Sequence, residues 1–110
     1  MLKSVNRLKK RKEFGYIYKH GESLYTKNLV LMHTVNKYKK IKIGFSISKK
    51  VGKAYIRNLI KRRLRAIVRE RLTEFVSGKN YVVIAKPTVI NLSFSELEAE
   101  VIQLFAKVKG

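Results

Sequence analysis

The sequence predicts an α+β fold, a small mixed β-sheet with helices packed on it, in the order α-β-β-(β)-α-β-α. Three observations predict it: strand-like runs in the first half, one long helical periodicity in the middle, and a short apolar run followed by an amphipathic segment at the end. The bracketed strand is a further short one near residues 22–27. The 110 residues suit one domain covering 1–110, and a hydrophobic content of 45% is enough for a core.

The first predicted element is a short helix from about Lys10 to His20. Its apolar residues, Phe14, Ile17 and Tyr18, fall at helical spacing, and Gly21 is the expected stop signal. The basic residues 1–10 before it are expected to be frayed.

Two strands are predicted next, Leu24–Val35 and Ile41–Ser48, because both segments are rich in β-branched, aromatic and alternating residues. The polar residues 36–40 between them are predicted to form a hairpin loop. One face of the second strand is apolar and consists of Ile43, Phe45 and Ile47.

A long amphipathic helix is predicted from about Lys53 to Val76, after the break at Gly52. Its apolar positions are Ile56, Leu59, Ile60, Leu64, Ile67, Val68, Leu72 and Phe75. Residues 77–80 are predicted to turn, and Tyr81–Ala85 to form a buried strand that Pro87 ends.

The last predicted element is a helix near the C-terminal end of the sequence. Either Ser93 with Glu96 or Ser95 with Glu98 could form its capping box. Its expected buried face consists of Phe94, Leu97, Val101, Leu104, Phe105 and Val108.

The charge balance is the strongest functional signal. There are 26 Lys and Arg residues against seven Glu and no Asp, a net charge of +19. Such a charge attracts polyanions over long range, so nucleic acid is the leading expected partner and an anionic membrane surface the main competitor.

Other classes of protein are disfavoured by what the sequence lacks. No apolar run is long enough to span a bilayer, and the first residues lack the apolar region of a signal peptide, so a cytoplasmic location without a membrane partner is expected. Without cysteine, there can be neither a disulfide nor a cysteine metal site.

Five basic residues follow each other at intervals of four along the long helix. This basic ridge comprises Lys53, Arg57, Lys61, Arg65 and Arg69. Its predicted length is roughly 24 Å. Asn58 and Arg62 lie beside it, and Lys49 and Lys50 extend it at the helix entrance.

The alternative is an ordinary solvated helix face. Such faces normally interleave Glu with Lys or Arg, whereas four like-charged contacts in series cost on the order of 1–2 kcal/mol. A polyanion would reverse the sign of that cost, which favours nucleic-acid binding. The ridge by itself does not distinguish RNA from DNA.

The sequence offers little for catalysis by the isolated chain. A metal-dependent nuclease needs clustered carboxylates, and here Asp is absent and three of the Glu residues lie in the last helix. His20 and His33 are thirteen residues apart, and we expect them to be solvated or core residues. We therefore expect no catalytic residue and no firmly bound metal in the protein.

Four segments resemble the bacterial ribonuclease P protein subunit family. KVGKAYIRNLIKRRLR resembles its Arg-Asn-Arg signature at the start of a basic helix, although Leu59 stands where the family often has the second Arg. The other three resemble its first helix, the strand before the motif and its last strand: NRLKKRKEFGYIYKHG, GFSISKKVG and YVVIAKP. Because Leu59 borders the apolar face, we expect it to join the core.

The resemblance implies a fold and a function. The fold would include a left-handed crossover around the motif helix, against the usual right-handed rule. The function would be that of a non-catalytic subunit in an endoribonuclease whose catalytic RNA removes the 5′ leader of precursor tRNA, with magnesium held by RNA and substrate. No obligate protein partner is evident, and a structural RNA-binding protein such as a ribosomal protein is the alternative.

The resemblance also implies site residues. Contacts to the catalytic RNA fall on Lys53, Arg57, Asn58, Lys61, Arg62 and Arg65. A cleft for the single-stranded leader falls on Phe14, Tyr18, Val30 and Met32. The other interpretation of these four residues is that they are plain core.

Overall fold

The computed structural model describes residues 7–8, 10–37 and 39–108. Three α-helices and four β-strands lie within these ranges, with the strands in one sheet. The helices are α1 (Arg11–His20), α2 (Ala54–Glu70) and α3 (Phe94–Ala106), and the strands are β1 (Glu22–Tyr25), β2 (Leu29–Val35), β3 (Lys42–Ile47) and β4 (Lys79–Ala85). The predicted fold class is therefore confirmed, including the additional short strand.

The order of the strands in the sheet is β1-β2-β4-β3. β2 pairs antiparallel with β1 and with β4, whereas β3 pairs parallel with β4. The predicted hairpin through residues 36–40 is therefore wrong, because β4 lies between β2 and β3. The connection from β3 to β4 runs through α2, as a parallel pair requires a long crossover, and its left-handedness stays a prediction.

The apolar character of β4 explains why it takes the central position. Tyr81, Val82 and Val83 are consecutive and all buried, which means that both faces of the strand are covered. A strand that buries both faces gains most from neighbours on both edges. The Tyr81 hydroxyl donates to the carbonyl oxygen of Val76 at 2.6 Å, and burial raises the pKa of Tyr81 to about 12.

The predicted strand Leu24–Val35 is two strands, joined by a tight turn at residues 26–28. Asn28 is buried in this turn, and its side-chain amide donates to Glu100 on α3 at 2.9 Å. The Thr26 hydroxyl donates to the same carboxylate at 2.9 Å. These polar side chains end β1 because they bond to α3 and to the turn instead of continuing the strand.

The sheet carries a hydrophobic cluster on each face. The larger one packs beneath α2 and α3 and includes Leu31, Leu64 and Leu104. The smaller one lies under α1 and consists of Leu8, Ile17 and Val82, with Phe14, Met32 and Ile84 packed against it. Most of the segment predicted to be frayed lies outside the described residues, but Leu8 is buried and donates its amide to Ile43 at 3.0 Å.

α2 ends at Glu70, six residues before the predicted end at Val76. A short 3₁₀ helix, Leu72–Glu74, follows it and turns the chain towards α3. There the Phe75 ring stacks on Phe105 with the centroids 3.9 Å apart. This aromatic contact would not form if the α-helix continued along its own axis.

α3 begins with one of the two predicted capping boxes. The Ser93 hydroxyl accepts from the Glu96 amide, and the Glu96 carboxylate accepts from the Ser93 amide. These bonds favour the ionised carboxylate and hold the pKa of Glu96 below its usual value. Phe94 is 42% exposed, so its predicted burial is wrong: the buried stripe begins one turn later, at Leu97.

Candidate nucleic-acid interface

α2 presents its polar face to solvent because its apolar stripe fixes how it lies on the sheet. Ile60, Leu64, Ile67 and Val68 are buried. The side chains about half a turn away therefore point outwards. A shallow hollow of about 390 Å³ opens on that outward face. The residues that line this arginine hollow are Asn58, Lys61, Arg62, Arg65, Ala66 and Arg69.

Only some of the predicted RNA-binding residues line the arginine hollow. Successive i,i+4 positions advance about 40° around a helix, so the five-residue basic ridge winds by about 160° from Lys53 to Arg69. Lys61, Arg65 and Arg69 reach the hollow, and so do the flanking Asn58 and Arg62. The remaining predicted contacts, Lys49, Lys50, Lys53 and Arg57, lie at the helix entrance instead.

Arg57 is anchored to the protein. It is half-buried, and its Nε donates to the Gly52 carbonyl at 3.1 Å. Gly52 has a φ of 155°, a conformation that L side chains rarely adopt, so this turn requires glycine. We conclude that Arg57 also stabilises the entry into α2, while Lys49, Lys50 and Lys53 remain exposed.

The positive charge of this surface is uncompensated. Among the residues that the structure describes, no carboxylate forms an ion pair with the basic ridge, Arg62, Lys49 or Lys50. The Arg65 Nε is buried and has no hydrogen-bond partner in that part of the chain. A phosphate would supply the missing negative charge to the guanidinium and ammonium groups that are open to solvent.

Leu59 does not join the core as predicted. It is 38% exposed, because it lies about 100° around the helix from buried Ile60. Tyr55 is more exposed still and precedes Asn58 by one turn. Tyr55 is not among the residues predicted from the sequence, although an aromatic residue on the polar face of a basic helix was the available signal.

α1 crosses the opposite face of the sheet and positions the predicted leader residues. Ile17 is fully buried at the centre of its contact. The Phe14 ring rests directly on Gly44 of β3, where an added Cβ would come within 2.6 Å of two ring carbons. Gly44 is therefore the residue that allows α1 to lie this close to the sheet.

Phe14 and Met32 pack against the smaller hydrophobic cluster, and Val30 lies two residues before Met32 on the same face of β2. We call Phe14, Tyr18, Val30 and Met32 the aromatic cleft. The Phe14 and Tyr18 ring centroids are 6.5 Å apart. Tyr18 is 45% exposed, and the other three are half-buried, so the four are not plain core.

The register of the strands adds residues to the cleft that the sequence analysis missed. Tyr25 pairs with Val30, and Val30 pairs with Ile84, so the three lie in one row across the sheet. Tyr25 is 61% exposed, and the Lys86 ammonium lies 5.9 Å from its ring centroid. No local pattern could show this row, because it joins three strands that are distant in sequence.

The histidines occupy two different environments. His20 is exposed, and its ring contacts that of Tyr16 in a tilted arrangement with the centroids 4.6 Å apart. His33 is buried, and its Nε2 lies 3.7 Å from a Glu22 carboxylate oxygen. Burial lowers the pKa of His33, Lys79 lowers it further, and Glu22 acts in the opposite direction.

Within residues 7–8, 10–37 and 39–108, no group of three or more His, Cys, Asp and Glu side chains could hold a metal ion. No helix in these ranges is both long enough and apolar enough to cross a membrane.

Comparisons with known proteins agree with one another. The family model described as Ribonuclease P matches residues 2–109. The ribonuclease P protein component of Finegoldia magna is 40% identical over 110 residues, which cover 100% of this chain and 96% of that protein. That of Bacillus velezensis is 36% identical and covers 96% of this chain and 91% of its own length.

Solved structures show the same fold. The RNase P protein from Thermotoga maritima matches with a TM-score of 0.88 and 28% identity, over 94% of this chain and 98% of that one. The RNase P protein from Staphylococcus aureus matches with a TM-score of 0.87 and 30% identity, over 96% and 98% of the two chains. Since sequence and fold agree over nearly the whole length, the chain belongs to the ribonuclease P protein family.

Proposed function

We propose that this chain is the protein subunit of ribonuclease P, acting as a single RNA-binding domain in the cytoplasm. It binds the catalytic RNA and the 5′ leader of precursor tRNA, and it assists endonucleolytic removal of the leader to give the mature tRNA 5′ end. The full-length family match over residues 2–109 is the observation that carries this proposal.

The arginine hollow supports a role in binding the catalytic RNA. Arg62, Arg65 and Arg69 surround a depression that faces away from the core. Their planar guanidinium groups can each hold a phosphate with two parallel hydrogen bonds, which fixes orientation as well as adding affinity. Asn58 contributes a neutral donor and acceptor beside them. We assign Lys49, Lys50, Lys53 and Arg57 to the phosphates nearest the start of α2.

The aromatic cleft supports a role in binding the leader. A single strand exposes the faces of its bases, and each base that stacks on an aromatic side chain gains about 1–3 kcal/mol. Phe14 and Tyr18 supply such rings, and Met32 packs with Phe14 against the smaller hydrophobic cluster. Val30 adds an apolar side chain on the same face of β2. Binding here would hold the precursor with its cleavage site beside the catalytic RNA.

The described residues contain no cage for a divalent ion, and we propose that magnesium is held by RNA and substrate. When bound there, magnesium supplies the activated nucleophile and stabilises the leaving oxygen. The contribution of this chain is to position the leader and to neutralise phosphate charge, which allows the complex to form at a lower magnesium concentration.

The test is reconstitution with a bacterial ribonuclease P RNA and precursor tRNA at low magnesium. The protein should accelerate cleavage strongly over RNA alone, and nuclease-free protein alone should not cleave. No acceleration, or robust cleavage without the RNA, would contradict the proposal. Sequencing the RNA that copurifies with the protein separates this function from a structural role on ribosomal RNA.

A further inference from the structure

α1 carries an aromatic pair on each of its two flanks. Relative to buried Ile17, Phe14 and Tyr18 lie about 60° and 100° to one side, and His20 and Tyr16 lie about 60° and 100° to the other. The first pair belongs to the aromatic cleft. The rings of the second pair are in contact, with 4.6 Å between centroids and an angle of 42° between their planes, and both residues are exposed.

A second groove runs along the flank of α1 that carries Tyr16. It consists of two hollows of about 280 Å³ and 570 Å³. Both are lined by Tyr16, Thr34 and Val35, so they are continuous. The row of Thr34 and Asn80 lies on the opposite side of α1 from the row of Val30 and Ile84, which places the two grooves on either side of the helix.

The lining of the second groove combines aromatic, basic and amide groups. Lys12, Lys37 and Lys79 supply positive charge from α1, the end of β2 and the start of β4. The Asn36 amide donates to Asn80 Oδ1 at 2.9 Å, which fixes the position of both amides. Val35 lines both hollows and is 76% exposed, so its apolar side chain is accessible to a ligand in the groove.

One of the two carboxylates of the lining is paired with a cation: Glu13 lies 3.6 Å from the Lys42 ammonium. Glu22 lies 3.7 Å from Nε2 of His33, whose lowered pKa favours the neutral imidazole, so the three lysines of the lining face one carboxylate without a cationic partner. Within the part of the chain that the structure describes, no carboxylate forms an ion pair with Lys12, Lys37 or Lys79. The groove is therefore attractive to a phosphate backbone, while its rings and Val35 offer surfaces to unpaired bases.

We propose that the second groove binds a single-stranded stretch of RNA, with a base on the Tyr16–His20 pair and phosphates on Lys12, Lys37 and Lys79. The strand comes from one of two sources that share this chemistry: an unpaired segment of the catalytic RNA, or leader nucleotides beyond those in the aromatic cleft. The proposal goes beyond the proposed function, which uses only the opposite flank of α1.

A photocrosslinking reporter at Val35 tests the location. A benzophenone side chain is introduced there, and the same reporter at exposed Ile102 on the acidic helix α3 is the control. With the holoenzyme, we expect RNA crosslinks from position 35 well above those from position 102. Crosslinks no stronger than the control, or crosslinks only to another protein molecule, would overturn the proposal.

To identify the source of the bound strand, the crosslinking is repeated with the catalytic RNA alone, with a long-leader precursor and with mature tRNA. Crosslinks that form with the catalytic RNA alone assign the groove to that RNA. Crosslinks that require a long leader and are absent with mature tRNA assign it to the substrate. Mapping the crosslinked nucleotide to a base-paired helix would contradict a single-strand site.

Affinity for a short unstructured RNA oligonucleotide supplies an independent measurement on the full chain. Tyr16→Ala leaves the net charge unchanged, so the general attraction of a +19 protein persists. We expect about a fivefold or larger loss of affinity, the lower end of one base stack. The matched apolar truncation Ile102→Ala should have no effect.

Lys37→Gln should reduce the salt dependence of oligonucleotide binding, whereas Lys107→Gln, which removes the same charge from the end of α3, should not. Equal effects of Tyr16→Ala and Ile102→Ala, or of the two lysine variants, would overturn the proposal.

The two proposals fail separately. Oligonucleotide binding and crosslinks at position 35 without any cleavage in reconstitution would remove the ribonuclease P function and keep the groove. Full cleavage without those crosslinks would do the reverse.

Discussion

Phe14 and Tyr18 lie one turn apart on α1, but the protein holds them differently. Phe14 packs on Gly44 and on the smaller hydrophobic cluster, whereas Tyr18 is open to solvent. The same aromatic pair therefore serves as part of the core at one end and as a free surface at the other.

We predict that Tyr18→Ala weakens binding of precursor tRNA by about 1–3 kcal/mol, the value of one base stack, with little loss of stability. Mature tRNA, which lacks the leader, is the control and should be affected far less. Phe14→Ala should also destabilise the fold. Because Phe14 is only half-buried, the loss should be smaller than that for truncating a fully buried Phe, which is about 3–5 kcal/mol. Denaturant melts and binding by the reconstituted holoenzyme measure both quantities, and equal weakening for both RNAs would remove Tyr18 from the site.

Tyr25 extends the floor of the aromatic cleft towards the edge of the sheet. We predict that Tyr25→Ala weakens binding of precursors with long leaders by about 1 kcal/mol. Tyr25→Phe should retain most of the affinity because it keeps the ring beside Lys86. The measurement is the dissociation constant as a function of leader length. A dependence on length that is identical in wild type and Tyr25→Ala would contradict the prediction.

His33 links stability to pH. Its pKa is lower in the folded protein than in the unfolded chain, so the unfolded state binds more protons as the solution becomes acidic. Its contribution to stability is present above the unfolded pKa of about 6.5 and is lost as the pH falls through the folded value. We predict that the free energy of unfolding decreases from pH 7.5 to pH 5 and that His33→Leu shows a smaller decrease. Parallel curves for the two proteins would refute the prediction.

At the scale of the element, α2 divides its basic residues between two tasks. Arg57 is held by Gly52 at the entrance, whereas Arg62 is exposed in the arginine hollow. The two residues have the same charge and lie on the same helix. They differ in that the Arg57 side chain forms a hydrogen bond within the protein, whereas the Arg62 side chain faces solvent.

We predict different outcomes for Arg62→Gln and Arg57→Gln. Arg62→Gln should leave stability unchanged and reduce the salt slope of RNA binding by roughly 0.7–0.9 if one phosphate contact is lost. Arg57→Gln should also cost about 0.5–1.5 kcal/mol of stability through the lost hydrogen bond to Gly52. Salt titrations of RNA binding and denaturant melts check both values. An unchanged slope in Arg62→Gln would show that the hollow does not touch phosphate.

At the scale of the molecule, the net charge of +19 destabilises the folded state. Self-repulsion lowers the stability of the free protein. Anions that bind the native cationic surfaces should restore it by mass action. We predict that sulfate or phosphate raises the melting temperature more than chloride does at matched ionic strength. The same temperature in all three salts would contradict this mechanism.

The sequence by itself determined those properties that depend on neighbours along the chain. The alternation of Ile43, Phe45 and Ile47 specified which face of β3 is apolar, and the spacing of Ile60, Leu64 and Ile67 specified the buried side of α2. The uncompensated charge and the Ser93–Glu96 cap were visible in the same way. These signals are local because helices and strands repeat every 3.6 and 2 residues.

Only the tertiary structure decided what lies beside what. Because a short polar loop joins β2 and β3, the sequence predicts that these two strands are neighbours in the sheet. In the structure β4, which buries both of its faces, lies between them. That insertion aligns Tyr25, Val30 and Ile84 in one row and puts Thr34 and Asn80 on the other side of α1. Periodicity cannot predict this arrangement, because it depends on the apolar surface that each strand buries against partners distant in sequence.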